Sequence, residues 1–304
     1  MEQSLEGFDA NGTLGAYTVG VILSSILYGV AVVQTYTYYV SFADDRWWLK
    51  SLVAMVMTCD TVHMACIVHA LYLLNVTHYG DPSAVILPPN TLFVAAVFSA
   101  IIALVVQGFF AYRIRRFSEK WTLATICWLL VLLRLTFSIV VIIKGFQMTS
   151  IAQFVRDSQV ALTVMLSVSV GCDVVIAGSM CYYLNRQRSA FNKNTSKIID
   201  KIIAWTIETG LASSVTGIVM LVCFLRFPHK FIWVSAFVLL SRIFANSLLA
   251  SLNARTILRT TKFDALQPTS PTFAPGNVRF ARKNHQGCAR GDDDADGDVK
   301  RQSQ

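Results

Sequence analysis

Four charged side chains sit where charge is most expensive. Asp60, Arg134, Asp173 and Arg242 each fall near the middle of a long apolar run, two acids and two bases in all. A lone charge at the centre of a bilayer costs roughly 2.5–3.5 kcal/mol even on lenient insertion scales, so such groups pair with one another or line a polar cavity. The positions therefore predict an intramembrane charge network facing the axis of a helix bundle, with either acid free to meet either base. The network has two uses. It fixes helix order and rotation, or it forms a polar binding site whose pairs rearrange with a ligand.

Four further polar groups share these runs. Asp60-x-x-His63 puts two metal-ligand types one helical turn apart, which raises a metal site built from Asp60, His63, Asp173 and Glu208. His69 falls on nearly the opposite face of the same run, and no other run holds a histidine, so a histidine-rich site cannot be completed. Hydrogen bonding or pairing of Asp60 is the plainer reading, and the expectation is no metal, no cofactor and no enzyme chemistry. Glu208 is placed nearer one membrane surface, as a neutral buried acid or one reaching the interface. Gln34 and Gln107 are expected to bond helix to helix.

The elements that must position these groups are membrane spans. A bilayer core of about 30 Å needs about 20 helical residues, and seven apolar segments qualify, near 15–40, 49–74, 91–112, 121–144, 160–184, 202–225 and 231–254. In lipid their backbone groups must be satisfied within each segment, so the expected fold is all-α, a seven-transmembrane helix bundle. Small residues at helical spacing mark close contacts: Ser25 and Gly29, then Ser167, Gly171 and Gly178, then Gly210, Ser213, Ser214 and Gly217. Helices 5 and 6 are therefore expected to pack tightly.

Orientation follows from the connections. Arg46 and Lys50, then Arg113, Arg115, Arg116 and Lys120, then Arg186, Arg188, Lys193, Lys197 and Lys201 mark alternate ends, joined by Arg255, Arg259 and Lys262 after the last span. The positive-inside rule puts these in the cytosol and the amino terminus outside. Tyr36, Tyr38, Tyr39, Trp47, Trp48, Tyr112, Trp121, Tyr182 and Tyr183 cluster at the same ends as interfacial anchors. Residues 1–14 become an extracellular segment, 15–259 the membrane domain, and 260–304 a disordered cytosolic tail with three prolines and an acidic run. Asn11 and Asn75 head glycosylation sequons on the outer side, both close to a helix end.

Composition excludes other classes. Hydrophobic residues make up 54% of the chain and charged ones only 14%, far from the balance of a water-soluble domain. The net charge of +8 lies in short clusters between apolar runs, which argues for membrane topology and against nucleic acid as a partner. Six of the seven cysteines fall inside apolar runs without metal-ligand spacing and read as packing residues.

One stretch carries a resemblance. Asp173, Tyr183-Leu184, Arg188-Ser189-x-Phe191, Thr195, Glu208-Thr209-Gly210-Leu211 and the closing Asn246-Ser247-Leu248-Leu249-x-x-Leu252-Asn253-x-Arg255 resemble a fungal, chiefly basidiomycete, multi-pass family known only as a domain of unknown function (DUF 6534). The core of the match is 173–255. Upstream, Trp48, Asp60-x-x-His63 and Gln107-Gly108-Phe109-Phe110-x-x-Arg113 are similar to the same proteins. Position 242 is Arg where the resemblance implies Lys or a similar cation, and position 244 is Phe where Tyr is common. The resemblance implies a fold and a lineage but no reaction or ligand.

The functional expectation is thus a receptor-like sensor or signalling protein, in the plasma membrane ahead of an endomembrane. Its partners are the lipid bilayer, an unnamed ligand, and a cytosolic signalling protein at the basic loops and tail. A small-solute transporter and a structural or lipid-organising protein are the alternatives.

Overall fold

The structure is a computed structural model that describes residues 11–79, 87–118, 121–188, 193–228 and 230–266. The chain divides into two units, Met1–Asp264 and Ala265–Gln304.

Seven α-helices follow in order: α1 Ala16–Ser41, α2 Trp47–Tyr72, α3 Thr91–Ser118, α4 Trp121–Phe146, α5 Ile151–Arg188, α6 Lys193–Arg226 and α7 Ile232–Leu266. Single π-helical turns, Asn11–Gly15 and Leu73–Thr77, precede α1 and extend α2. Each of the seven contains a stretch long and apolar enough to cross a membrane. The seven-helix reading holds, and the differences lie at the ends. Helix α5 starts at Ile151, nine residues before the expected 160, because the polar Arg156-Asp157-Ser158-Gln159 stretch breaks the apolar run that hydropathy follows. The missed signal was a capping pattern. The Gln153 amide donates to Ser150 Oγ at 3.3 Å while the Gln153 side chain accepts from the Thr149 amide. Helix α7 likewise continues past residue 259, where the tail was expected to begin, to Leu266. The rest of that tail lies outside the described residues.

Sequential helices pack as neighbours from α1 to α6, and α3 also meets α5. Between α5 and α6 the approach is close, as expected. A Cβ on Gly210 would come within 2.8 Å of Ala177 Cβ, and one on Gly217 within 3.0 Å of Val170. Gly29, Gly171 and Gly178 do not serve this purpose, since no described residue lies within 4 Å of a Cβ at any of them. Small-residue spacing alone does not say which face of a helix meets a neighbour.

Helix α7 is the centre of the bundle: 67% of its apolar window is buried, against 22–44% for the other six. It runs parallel to α1. Ser235 Oγ donates to the Ala16 carbonyl, Arg242 Nε to Ser24 Oγ, Asn246 Nδ2 to the Leu27 carbonyl and Asn253 Nδ2 to the Gln34 carbonyl. The contacts on α7 recur at intervals of seven, four and seven residues, the spacing that keeps one seam of a helix on its neighbour. Gly20 belongs to the same seam, where a Cβ would meet the Ser235 backbone at 2.8 Å. Apolar clusters lie on either side, one built on Val53, Val106 and Leu248 and another on Tyr17, Ile67 and Val238.

The parallel pair gives the bundle two faces. One carries the start of α1 and the α2–α3, α4–α5 and α6–α7 connections, with the Phe231 amide bonded to the Gly12 carbonyl; we call it the amino-terminal face. At the opposite face Arg255 grips Asp45 through both terminal guanidinium nitrogens, at 2.6 and 3.3 Å, and Tyr38 donates to the same carboxylate. Tyr38 is therefore no interfacial anchor. The helical period turns it inward, fully buried, while Tyr36, Trp47, Trp121 and Tyr182 stay on the outside.

Candidate functional site: two buried polar clusters and a cavity

The four mid-span charges form two clusters rather than one network. In the first, Arg242 on α7 forms an ion pair with Asp60 on α2, both completely buried. The same guanidinium donates to Ser24 Oγ at 2.9 Å and to the Asp60 carbonyl at 2.9 Å, and its Nη2 lies 3.0 Å from His63 Nδ1. A guanidinium can only donate, so in this contact His63 Nδ1 is the acceptor. Asp60 and His63 thus share a guanidinium, and that contact occupies the pair the sequence offered to a metal.

In the second cluster Asp173 on α5 and Arg134 on α4 are joined through a third residue. Gln107 on α3 donates from Nε2 to Asp173 Oδ1 at 2.8 Å and accepts at Oε1 from Arg134 Nη1 at 2.9 Å. An amide can do this because it carries a donor and an acceptor side by side. The sequence reading of Gln107 as a helix-to-helix bond understated it, since one side chain here ties three helices.

Helix α7 holds the clusters apart. Residues 242 and 244 are about 200° apart on a helix of 3.6 residues per turn. Arg242 accordingly faces α1 and α2, while Phe244 faces the other way, with the Arg134 guanidinium carbon 5.0 Å from its ring centre. A sequence places all four charges near mid-span but does not show that an aromatic wall stands between them.

The remaining candidates scatter. Glu208 lies exposed on α6 and joins neither cluster. Gln34 accepts from Asn253 through its backbone, and its side-chain oxygen is buried without a partner among the described residues. No three residues of metal-ligating type converge among the described residues. Asn75 Nδ2, the atom a glycan would take, donates to Thr18 Oγ1 at 3.2 Å within the turn that ends α2. Asn11 opens the π-helical turn before α1. Ser24, Met64 and Asp45 are contacts that sequence reasoning missed, the last because its partner Arg255 reads as a topology signal.

A cavity completes the site. It has a volume of about 110 Å³ and extends from the amino-terminal face to mid-bundle between α3, α4, α5, α6 and α7. Phe93, Phe154 and Trp233 line it near the face, and Trp233 stacks on Phe154 with ring centres 6.3 Å apart. Arg134, Ala100, Leu166 and Leu240 lie deepest. Among the described residues Arg134 is the one charge in the lining, and its Nε is buried without a hydrogen-bond partner. A smaller cavity of about 30 Å³ lies beyond the polar bridge, lined by Gln107, Asp173, Gly210, Ser213 and Phe244. The Arg134–Gln107–Asp173 chain therefore runs from the wall of one cavity to the wall of the other.

Seven apolar helices around two buried polar clusters define a multi-pass helical membrane protein. Within it, residues 169–257, less than a third of the chain, match a family described as of unknown function, DUF6534. No curated protein and no solved structure matches the chain. The matched stretch contains Asp173, Phe244, both α7 asparagines and Arg255, so its polar residues include those that bind α7 to α1 and to the α1–α2 turn.

Proposed function

We propose that this chain is a receptor-like membrane sensor that takes a ligand at its amino-terminal face and passes the event to α5 and α6. One observation carries the reading. The cavity whose lining runs from that face to mid-bundle ends at Arg134, and Arg134 reaches Asp173 on α5 through a single amide. A ligand that draws on Arg134 alters a bridge whose far end adjoins Gly210 and Ser213 of α6. That supplies the differential contact any population shift requires. In this reading the amino-terminal face is extracellular, as the alternating Lys and Arg of the connections imply, the membrane is the plasma membrane, and the basic opposite face meets a cytosolic partner.

A small-solute transporter is the second reading, favoured by the second cavity on the far side of the same bridge. One experiment separates the two. Small apolar compounds are screened by thermal shift on the full chain in lipid nanodiscs, and hydrogen exchange is then followed with the best binder. A sensor shows changed protection in α5 and α6 around Asp173 and Ser213, no solute flux in proteoliposomes, and a residue-1 tag reached from outside intact cells. A binder that leaves α5 and α6 unchanged, or one that crosses the membrane through the protein, overturns the sensor.

A further inference from the structure

We infer that the cavity is built for a small, uncharged, apolar molecule carrying one hydrogen-bond acceptor, a ketone-like oxygen, seated with that oxygen on Arg134. The inference rests on the cavity being the ligand site of the proposed sensor and adds the class of ligand.

Size comes first. A dry engineered cavity of about 150 Å³ accepts benzene, so about 110 Å³ takes a molecule somewhat smaller than a six-membered ring. Met148, Met165 and Met220 line the wall, and unbranched thioethers adapt to an irregular guest.

Polarity comes next. The deep end offers the Arg134 guanidinium, which spends one Nη1 hydrogen on Gln107 and has no other side-chain acceptor among the described residues. A buried guanidinium donor without an acceptor is costly. A guest oxygen on the guanidinium supplies an acceptor that the described lining lacks, and a pure hydrocarbon does not.

Charge decides between a neutral oxygen and a carboxylate. Arg134 is already balanced by Asp173 across Gln107, and the described lining holds no second cation. A guest carboxylate would leave one uncompensated negative charge in a site of low dielectric. A ketone makes the missing bond with no net charge. The same logic disfavours amines, which would meet Arg134 as a like charge.

Three probes matched in shape test this: cyclobutanone, methylenecyclobutane, in which CH2 replaces the oxygen, and cyclobutanecarboxylate. Each is titrated by saturation-transfer NMR against the full chain in nanodiscs, with empty nanodiscs correcting for partition into lipid. The expected result is cyclobutanone binding about tenfold tighter than methylenecyclobutane, the scale of one hydrogen bond to a charged group, with the carboxylate no tighter than the ketone. In Arg134→Met the ratio of ketone to alkene falls to about one while the alkene still binds. The double variant Arg134→Met/Asp173→Asn, which strands no charge, gives the same answer should the single variant misfold. Equal binding of ketone and alkene by the unmodified protein overturns the inference, and so does tightest binding of the carboxylate. Saturable binding of none of the three overturns both the inference and the sensor. A ketone preference without altered exchange in α5 and α6 sinks the sensor alone and leaves the ligand class standing.

Discussion

Asp60→Asn lowers the stability of the folded bundle by about 3–5 kcal/mol, the usual cost of removing one partner from a buried ion pair. The substitution keeps the side chain's shape and deletes its charge, so Arg242 is left as a buried cation with only neutral acceptors: Ser24 Oγ, the Asp60 carbonyl and His63 Nδ1. A guanidinium cannot escape by releasing its proton. Arg242→Met is costly for a different reason, since the Asp60 carboxylate has no partner among the described residues apart from its ion pair. The double variant Asp60→Asn/Arg242→Met should lose clearly less than the sum of the singles, because neither charge is stranded. Unfolding in mixed detergent micelles, run as a double-mutant cycle, measures this. A coupling energy near zero would mean the pair contributes nothing to holding α7 against α2.

Gln107→Leu is expected to cost about 3 kcal/mol or more. One leucine cannot replace an amide that satisfies Asp173 on one side and Arg134 on the other, and each lost bond to a charged group is worth about 1.5–3 kcal/mol. Both charged residues are more than nine-tenths buried, so water is a poor substitute. The triple variant Gln107→Leu/Arg134→Leu/Asp173→Leu should regain most of the loss, as apolar replacement of a whole buried polar group is often close to neutral. The same unfolding assay decides it. A triple variant no more stable than Gln107→Leu would show that the bridge is needed for packing itself. One that is stable but unresponsive to ligand would separate the bridge's signalling role from its structural one.

The two variants probe opposite sides of α7. Asp60 and Arg242 sit in a sealed core with no exposure at all, suited to fixing how α1, α2 and α7 assemble. Arg134 meets a cavity and is therefore the charge a ligand can reach. Destabilisation from Asp60→Asn should leave the ligand preference of the surviving folded fraction intact, whereas Arg134→Met removes it.

Much of this was legible in the chain itself. Seven spans followed from backbone groups that lipid cannot satisfy and from apolar runs of membrane length. The importance of Asp60, Arg134, Asp173 and Arg242 followed from the cost of charge at that depth. The closing Asn246 to Arg255 motif was visible as a pattern, though its purpose was not. Asn246 and Asn253 bind carbonyls 219 residues away on α1, and Arg255 binds Asp45 in the turn after it.

What only the tertiary structure decided is who meets whom. Hydropathy and charge act along one dimension and locate a residue by depth, while pairing depends on helix rotation and on which helices adjoin. Arg242 could have met Asp173 by depth, but α7 turns Arg242 toward α2 and Phe244 toward Arg134, so the charges segregate. The cavity has the same origin. Its walls come from five helices, and no single segment carries a sign of it beyond an arginine that the sequence had marked as a partner for an acid. Rotation is set by side-chain packing summed over the whole bundle, and that sum exists only once the chain is folded.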